Sequence, residues 1–378
     1  MADRSFLDWP FFEDRHRSLA TALEDWCATH LPVDHSDVDA ACRGLVAMLG
    51  SGGWLQHSAA TRDEVLDVRT LCLIRETLAR HDGLADFSFA MQGLGMGAVS
   101  LFGTPQQQAW LSQTRTGKAI SGFALTEPTS GSDVANTTTT AEKVAQGWRL
   151  NGEKTYISNG GIADVYVIIA RTGDAPGARG LSAFLMPART AGLLVVSRIE
   201  VIAPHPLAHL KLEDVILPDT ALIGASGAGF KQAMAVLDVF RSTVGAAALG
   251  FARRALDEAL MRTQSRMIQG APLSDLQMVQ GHLADMALKI DAAALLIYRA
   301  AWTKDQGAPR ISREAAMAKL YATEAAQEVI DMAVQLHGGD GVRQGFAVES
   351  LYREIRALRI YEGASDVQRI IIARSILG

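Results

Sequence analysis

Two short segments, far apart in the chain, carry the residue types that could do chemistry. The first is TEPTSGSD at residues 126–133, which packs hydroxyl groups, a turn-forming proline and a glycine into one loop. Such a loop can direct backbone N–H groups and side-chain donors toward a phosphate or a flat heterocycle. The second is YEGAS at residues 361–365, which places a lone carboxylate, Glu362, beside a glycine. A glycine lets a ligand come close to the backbone, so the two segments predict a binding loop and an approachable carboxylate.

The elements that must position these segments change in type along the chain. Residues 1–118 have apolar side chains at helical spacing, residues 119–222 contain short, β-branched, turn-bounded runs, and residues 223–378 return to helical spacing. One apolar stripe in the last zone is formed by Leu283, Met286, Ala287, Ile290, Ala294 and Ile297. The sequence therefore predicts an α+β protein with a helical domain, a β domain and a second helical domain within these bounds.

Several local signals set the expected ends of elements. Thr104 followed by Pro105 predicts the start of a helix over residues 106–111, and Ser312 is the expected N-cap of a later helix. The dipeptide Asn-Gly at residues 151–152 lies between two strand-like runs and predicts a hairpin turn. Strands are predicted at residues 165–169, 181–186 and 193–202.

Composition excludes several classes of protein. Of the 378 residues, 48% are hydrophobic and 20% are charged, which is typical of a folded chain and not of a disordered one. The net charge is −5 and the basic residues are scattered, so no nucleic-acid surface is expected. Apolar runs are interrupted well before the roughly 20 residues of a membrane span. The N-terminus has no signal-peptide character, and the three cysteines show no CxxC spacing, which predicts core thiols, no metal site and a cytoplasmic protein.

In this order, and with this framework between them, the two segments resemble the acyl-CoA dehydrogenase flavoenzyme family. The resemblance extends from about Leu101 to the end of the chain. It implies a helical N-terminal domain, a central β domain and a C-terminal four-helix bundle. It also implies FAD as the cofactor.

The resemblance assigns flavin contacts to residues of the central zone. The family positions whose backbone and hydroxyl groups contact the flavin ring are matched by Phe123, Leu125 and Thr126. Ser132 matches a position that touches flavin phosphate or the thioester ligand. Tyr156 and Ser158 stand where the family commonly has Trp and Thr, and they keep a ring for stacking and an oxygen for hydrogen bonding. For Tyr156 the structural alternative is a half-buried strand aromatic.

A second set of cofactor contacts is implied for the C-terminal zone. Arg266 and Gln277 match an Arg and a Gln that reach the FAD diphosphate and adenosine of a neighbouring subunit. Arginine suits this role because its planar fork can bind phosphate oxygens at two points. A further cofactor-binding run is matched by Gln335, Gly338 and Gly339. The departures from the family pattern are Gln269, Ala364 and Asp366.

The base and the substrate contacts are assigned in the same way. Glu362 matches the family's catalytic carboxylate, and an apolar pocket should raise its pKa and make it a better proton acceptor. Some relatives carry the base on another helix, where Phe240 stands here, so Glu362 is the single predicted base. The predicted substrate contacts are Ser132, Asp238, Arg241 and Gly363. An ion pair between Asp238 and Arg241 is an equal alternative to their contact with the CoA part of the ligand.

The resemblance thus implies FAD-dependent α,β-dehydrogenation of an acyl-CoA thioester to the trans-2-enoyl-CoA. The α-proton would go to Glu362, the β-hydride to flavin N5, and the electrons to an electron-transferring flavoprotein. A homotetramer with FAD sites shared between subunits is expected. Open alternatives are a carrier-protein-bound substrate, oxygen as acceptor, β-elimination, and an inactive interaction scaffold. The residues leave the length and branching of the acyl chain undetermined.

Overall fold

The computed structural model describes residues 3–173 and 175–378. Helices occupy both ends of the chain, and strands occupy its centre. The α-helices are α1 (Asp14–His30), α2 (Val38–Ser51), α3 (Val68–His81), α4 (Gly83–Phe102), α5 (Gln108–Arg115), α6 (Gly229–Ser265), α7 (Gln277–Asp305), α8 (Ser312–His337), α9 (Ala347–Leu358) and α10 (Ser365–Leu377). This order of helices, sheet and helices confirms the predicted α+β fold class.

The strands between α5 and α6 form one mixed sheet. They are β1 (Ser121–Ala124), β2 (Thr140–Val144), β3 (Gly147–Ser158), β4 (Val165–Arg171), β5 (Leu181–Pro187), β6 (Leu193–Ile199), β7 (Leu207–Leu217) and β8 (Leu222–Ile223). Their spatial order is β6-β7-β3-β2-β4-β5-β8, and β1 pairs with β4 in parallel. A two-residue ribbon, β9 (Met267–Ile268) with β10 (Ala271–Pro272), lies between α6 and α7. The strands predicted from β-branched runs are confirmed as β4, β5 and β6.

The chain forms two compact units, and each is discontinuous in sequence. One unit contains Met1–Val33, Asp67–Asp86 and Asp238–Gly378. The other contains Asp34–Leu66 and Phe87–Leu237, and therefore includes the whole β1–β8 sheet. The domain boundaries expected at residues 118 and 222 stay predictions.

The predicted hairpin at Asn151 and Gly152 is wrong, because β3 continues through both residues. The pairing of β3 with β7 shifts register here, and Gly152 has φ +149°, where a Cβ would overlap the side chain of Thr139. These features are those of a β-bulge, for which a glycine is as suitable as for a turn. The hairpin turn lies at residues 145–146, between β2 and β3.

Two predicted helix starts are displaced. Helix α5 begins at Gln108 and not at residue 106, although Thr104 and Gln107 exchange backbone-to-side-chain hydrogen bonds of 3.0 and 3.3 Å, as in a capping box. Ser312 is the first residue of α8 and not its cap, since its hydroxyl donates to Asp238 Oδ2 at 2.9 Å. For Ser312, a side-chain partner outside the local pattern accounts for the difference.

Burial agrees with the apolar patterns. In the predicted stripe of α7, Met286, Ile290, Ala294 and Ile297 are buried, whereas Ala287 is exposed. Helix α6 is long and apolar enough to cross a membrane, but 83% of its most apolar window is buried inside the protein, as in a core helix. The cysteines are free and buried, and no group of His, Cys, Asp or Glu in the described residues could hold a metal ion.

Candidate active site

The loop at residues 126–133 is fastened to β3 by a buried ion pair. Lys154 Nζ lies 2.8 Å from Glu127 Oε1, and both side chains are almost completely buried. Lys154 also donates to the carbonyl of Leu125 at 3.1 Å, and Glu127 accepts from the backbone of Thr138 and Thr139 at 2.6 and 2.9 Å. Burial alone would raise the pKa of Glu127, but the Lys154 charge and these hydrogen bonds lower it to about 2. The pair fixes the start of the loop.

Tyr156 projects from a second bulge of β3. The register of β3 with β7 shifts between Lys154 and Ile157, and Tyr156 has φ +54°, a left-handed conformation that is unfavourable for an aromatic residue. Tyr156 is 59% exposed, and both its predicted flavin contact and the alternative of a half-buried strand aromatic stay predictions. The neighbouring Thr155 N–H donates to the carbonyl of Thr126 at 3.0 Å. The bulge therefore presents an accessible aromatic ring directly beside the loop.

The other predicted flavin-ring residues lie around the same point, which we call the loop site (residues 123–133 and 154–158). Phe123 is on β1, and Leu125 and Thr126 follow that strand, all partly buried. Ser158 is the last residue of β3 and is also partly buried. Ser132 is exposed in the loop itself.

The turn after β3 is held by Asn159. Asn159 is buried with φ +59°, its side-chain amide donates to the carbonyl of Ser121 at 2.9 Å, and its N–H donates to the carbonyl of Pro206 at 2.8 Å. The ring of His205 lies 4.5 Å from that of Phe87, centroid to centroid. The Pro-His-Pro run at residues 204–206 therefore supports the end of β3.

The predicted base lies in the short segment between α9 and α10. Glu362 has φ +52° and Gly363 has φ +93°, so two consecutive residues are left-handed. The Oε2 atom of Glu362 is buried and has no hydrogen-bond partner in the described part of the chain. Burial raises the pKa of Glu362, and the nearby cations Arg75, Lys319 and Arg241 oppose that rise. A carboxylate with a buried, unpartnered oxygen is suited to accept a proton from a ligand.

Ion pairs surround this carboxylate site (residues 359–368 and the side chains that face Glu362). Arg75 is fully buried and binds both oxygens of Asp86 at 2.8 Å, and it also donates to Thr243 Oγ1 at 3.0 Å. Arg75 and Asp86 were not predicted from the sequence, because no local pattern distinguishes them from the other charged residues of α3 and α4. Bidentate pairing compensates both charges inside the protein.

The predicted substrate contacts on α6 form an ion pair with each other. Arg241 Nη1 lies 2.9 Å from Asp238 Oδ1, and Ser312 donates to the other oxygen of Asp238. Burial lowers the pKa of Arg241, although Asp238 and Glu362 oppose this. The contact of these two residues with CoA stays a prediction. Phe240, between them, is buried and has no group that could take up a proton.

The predicted C-terminal cofactor residues are all exposed. They are Arg266, Gln277, Gln335, Gly338 and Gly339. Arg262, one turn before Arg266, donates to the carbonyl of His337 at 3.1 Å and pairs with Asp340 at 3.0 Å. The ends of α6 and α8 therefore lie side by side, which brings Arg266 and Gln335 to one region of the surface. Gln269 has φ +48° and therefore takes a left-handed backbone conformation in the turn of the β9–β10 ribbon.

The groups at these places fit a flavin dinucleotide. The loop site offers an accessible aromatic ring for stacking against a flat heterocycle. The exposed guanidinium of Arg266 is a donor of the type that binds phosphate. The carboxylate site offers a base in a buried environment. Each of these groups is of the type that the resemblance to acyl-CoA dehydrogenases implies, within its own unit of the chain.

Comparison with known proteins identifies the family. Residues 122–215 match the model of the acyl-CoA dehydrogenase middle domain, and residues 227–377 match that of the C-terminal domain. The chain is 40% identical over 318 residues to the short-chain specific acyl-CoA dehydrogenase, mitochondrial, of Homo sapiens, which covers 82% of this chain and 76% of that protein. The chain belongs to the acyl-CoA dehydrogenase family, whose members are oxidoreductases acting on CH–CH groups.

Solved structures agree with this assignment. The butyryl-CoA dehydrogenase of Megasphaera elsdenii superimposes with a TM-score of 0.89 at 30% identity and covers 97% of this chain and 99% of its own. A chain from work on the electron-transferring flavoprotein of Acidaminococcus fermentans superimposes with a TM-score of 0.90 at 32% identity. It covers 97% of this chain and 98% of its own. A glutaryl-CoA dehydrogenase of Mycobacterium smegmatis in complex with FADH2 superimposes with a TM-score of 0.88 at 25% identity. It covers 97% of this chain and 95% of its own. The predicted family and fold are thus confirmed.

Proposed function

We propose that the protein is an FAD-dependent dehydrogenase of short-chain acyl-CoA thioesters and forms trans-2-enoyl-CoA. The observation that carries this proposal is the buried, unpartnered Oε2 of Glu362 in a left-handed segment next to a glycine. The similarity to a relative described as short-chain specific supports the substrate class. The complex of a structural neighbour with FADH2 supports the cofactor.

The proposed reaction requires Glu362 to remove the weakly acidic α-proton of the thioester. Oε2 is the proposed proton acceptor, because it is buried and no protein donor in the described residues occupies it. Burial raises the pKa of Glu362, which favours proton uptake, and the nearby cations Arg75, Lys319 and Arg241 oppose that rise. Bound FAD would accept the β-hydride at N5. The backbone N–H of Glu362 is the proposed donor to the thioester carbonyl, where negative charge develops.

Phe240 limits the chemistry to one base. It lies at the position where some relatives carry the alternative carboxylate, and it is a buried residue of α6. A phenyl ring neither accepts a proton nor hydrates the site. The proposed proton transfer therefore depends on Glu362 alone.

A panel of thioesters under anaerobic conditions tests the proposal. Butyryl-CoA and hexanoyl-CoA should bleach the flavin absorbance of the purified yellow protein, and palmitoyl-CoA should not. The product should be the trans-2-enoyl-CoA. Bleaching by none of the CoA thioesters, with full FAD content, would contradict the proposed function, and bleaching only by carrier-protein thioesters would replace CoA by that carrier.

Arg266 is proposed to bind the FAD diphosphate. Arg266→Ala should weaken FAD binding by about 1.5–3 kcal/mol, because a charge-assisted, bidentate phosphate contact is lost. The purified variant should be paler than the wild type and regain its colour when FAD is added. Titration of the apoprotein with FAD measures the effect, and Arg313→Ala, which removes another exposed arginine of the same unit, is the control. Equal FAD affinity of Arg266→Ala and wild type would refute this role.

The partners follow from the same proposal. We infer a homotetramer in which Arg266, Gln277 and Gln335 contact the FAD of a neighbouring subunit, because all three are exposed and lie far in sequence from the loop site. A cytoplasmic location is proposed from the free, buried cysteines. An electron-transferring flavoprotein is the proposed electron acceptor, in keeping with a structural neighbour from such a system. A monomeric holoprotein with full FAD occupancy in sedimentation would contradict the shared site.

A further inference from the structure

The backbone that carries Glu362 is in an unfavourable conformation. Glu362 and Gly363 both have positive φ. A Cβ on Gly363 would overlap the side-chain Nε2 of Gln368. A non-glycine residue in the left-handed region persists only where its surroundings hold it. The contacts that hold this segment therefore also hold the predicted base.

Two buried side chains converge on the carbonyl of Gly363. Lys319 Nζ, from α8, donates to this oxygen at 3.0 Å, and Gln368 Nε2, from α10, donates to it at 2.8 Å. Gln368 Nε2 also lies 3.4 Å from the carbonyl of Glu362. Lys319 and Gln368 are both fully buried. A carbonyl that accepts from two buried donors is fixed in position by two helices.

Three cations lie near Glu362, namely Arg75, Arg241 and Lys319, and they differ in whether they have an ion-pair partner. Arg75 is paired with Asp86 through two contacts, and Arg241 is paired with Asp238. Lys319 has no carboxylate within ion-pair distance in the described part of the chain, and its one hydrogen-bond acceptor there is the neutral Gly363 carbonyl. A buried ammonium without a counter-charge is costly. Of the carboxylates whose charge acts on Lys319, Glu362 has the largest effect.

From this geometry we infer that Lys319 is a positioning residue for the base: together with Gln368 it fixes the Gly363 carbonyl, and its ammonium is the counter-charge of the Glu362 carboxylate. The inference rests on the proposed function, because it concerns the same base. Lys319 thus contributes a hydrogen bond and a charge, whereas Gln368 contributes a hydrogen bond only. That difference makes the two contributions separable.

The electrostatic part has a definite sign. Burial lowers the pKa of Lys319 to about 8, and Glu362 and Glu324 oppose this, so Lys319 is mainly charged at neutral pH. A positive neighbour favours the ionised carboxylate, so loss of the Lys319 charge should raise the pKa of Glu362. The titratable and charged groups that face Glu362 are Arg75, Asp86, Arg241, Lys319 and Tyr361. Those that face Lys319 are Glu362, Glu324, Arg241 and Arg359.

Two variants with the same new side chain separate hydrogen bond from charge. Lys319→Met removes both, and Gln368→Met removes only the hydrogen bond. Both should lower the limiting rate of flavin reduction by on the order of 10- to 100-fold with little change in thioester affinity, because the base is misplaced. Only Lys319→Met should shift the pH dependence of that rate, upward by about 1–3 pH units. Lys319→Gln keeps a donor without the charge and should show the same shift.

A measurement without turnover makes the test independent of the substrate. The infrared band of the protonated Glu362 carboxyl, assigned by its loss in Glu362→Gln, is titrated in wild type and in each variant. The titration should move upward in Lys319→Met and Lys319→Gln and stay in place in Gln368→Met. Hydrogen exchange of the peptide at residues 359–368 should accelerate in both methionine variants.

The outcomes are distinct. An unchanged infrared titration in Lys319→Gln would overturn the counter-charge, and a wild-type limiting rate and exchange in Gln368→Met would overturn the positioning role. If Lys319→Met does not fold, Lys319→Gln and Gln368→Met still decide both parts. If no thioester reduces the flavin while the infrared titration shifts as expected, the proposed function fails and the electrostatic assignment of Lys319 stands.

Discussion

Glu362→Gln should slow flavin reduction by a good thioester about 10²–10⁴-fold, the usual effect of losing a general base. Gln is nearly isosteric with Glu and keeps the backbone N–H, so FAD and thioester should still bind. It cannot accept the α-proton as a carboxylate does, and Phe240 supplies no substitute. Anaerobic stopped-flow bleaching at saturating substrate measures the effect, and the apparent pKa that governs wild-type reduction should disappear from the pH profile.

The matched control is Glu142→Gln on β2. Glu142 is an exposed residue of a surface ion pair with Arg149, so the same chemical change there should leave reduction unaffected. Thioester affinity is measured alongside from the spectral change on binding. If Glu362→Gln bleaches at the wild-type rate, Glu362 is not the base and the assignment of the carboxylate site is wrong.

Lys154→Met should lower the free energy of unfolding by about 3–5 kcal/mol, because it leaves Glu127 as a buried carboxylate without its counter-charge. The hydrogen bonds from Thr138 and Thr139 remain but do not replace a positive charge. The start of the 126–133 loop should loosen as well, since Lys154 also binds the carbonyl of Leu125. Urea unfolding of the apoprotein and FAD titration measure the two effects.

Two further variants isolate the buried charge as the cause. Lys211→Met, on β7, breaks an exposed pair with Glu213 by the same replacement and should change stability by less than about 1 kcal/mol. The double variant Glu127→Gln/Lys154→Met removes both charges and should recover much of the lost stability. Equal stability of Lys154→Met and Lys211→Met would show that the Glu127–Lys154 pair contributes no more than a surface pair.

The sequence by itself determined the types of the elements and the family. Helical and strand periodicity arises from which face of an element is apolar, which is a local property, so α7, β4 and β5 are evident from residue order. The motifs at residues 126–133 and 361–365 likewise carry their signal within a few positions. Local patterns failed where two conformations share one signature: Asn-Gly suits a bulge as well as a hairpin, and β3 required the bulge.

Only the tertiary structure decided how the candidate residues are held. Lys154 and Glu127 are 27 positions apart, Lys319 and Gly363 are 44 apart, and Arg75 and Thr243 are 168 apart. No periodicity connects such partners, because they meet only when helices and strands pack together. The exposure of Tyr156 and the unpartnered oxygen of Glu362 arise in the same way, from what surrounding elements cover or leave uncovered. Residue type indicated Glu362 as the proposed base, but only the structure shows the burial that raises its pKa and the nearby cations that oppose that rise.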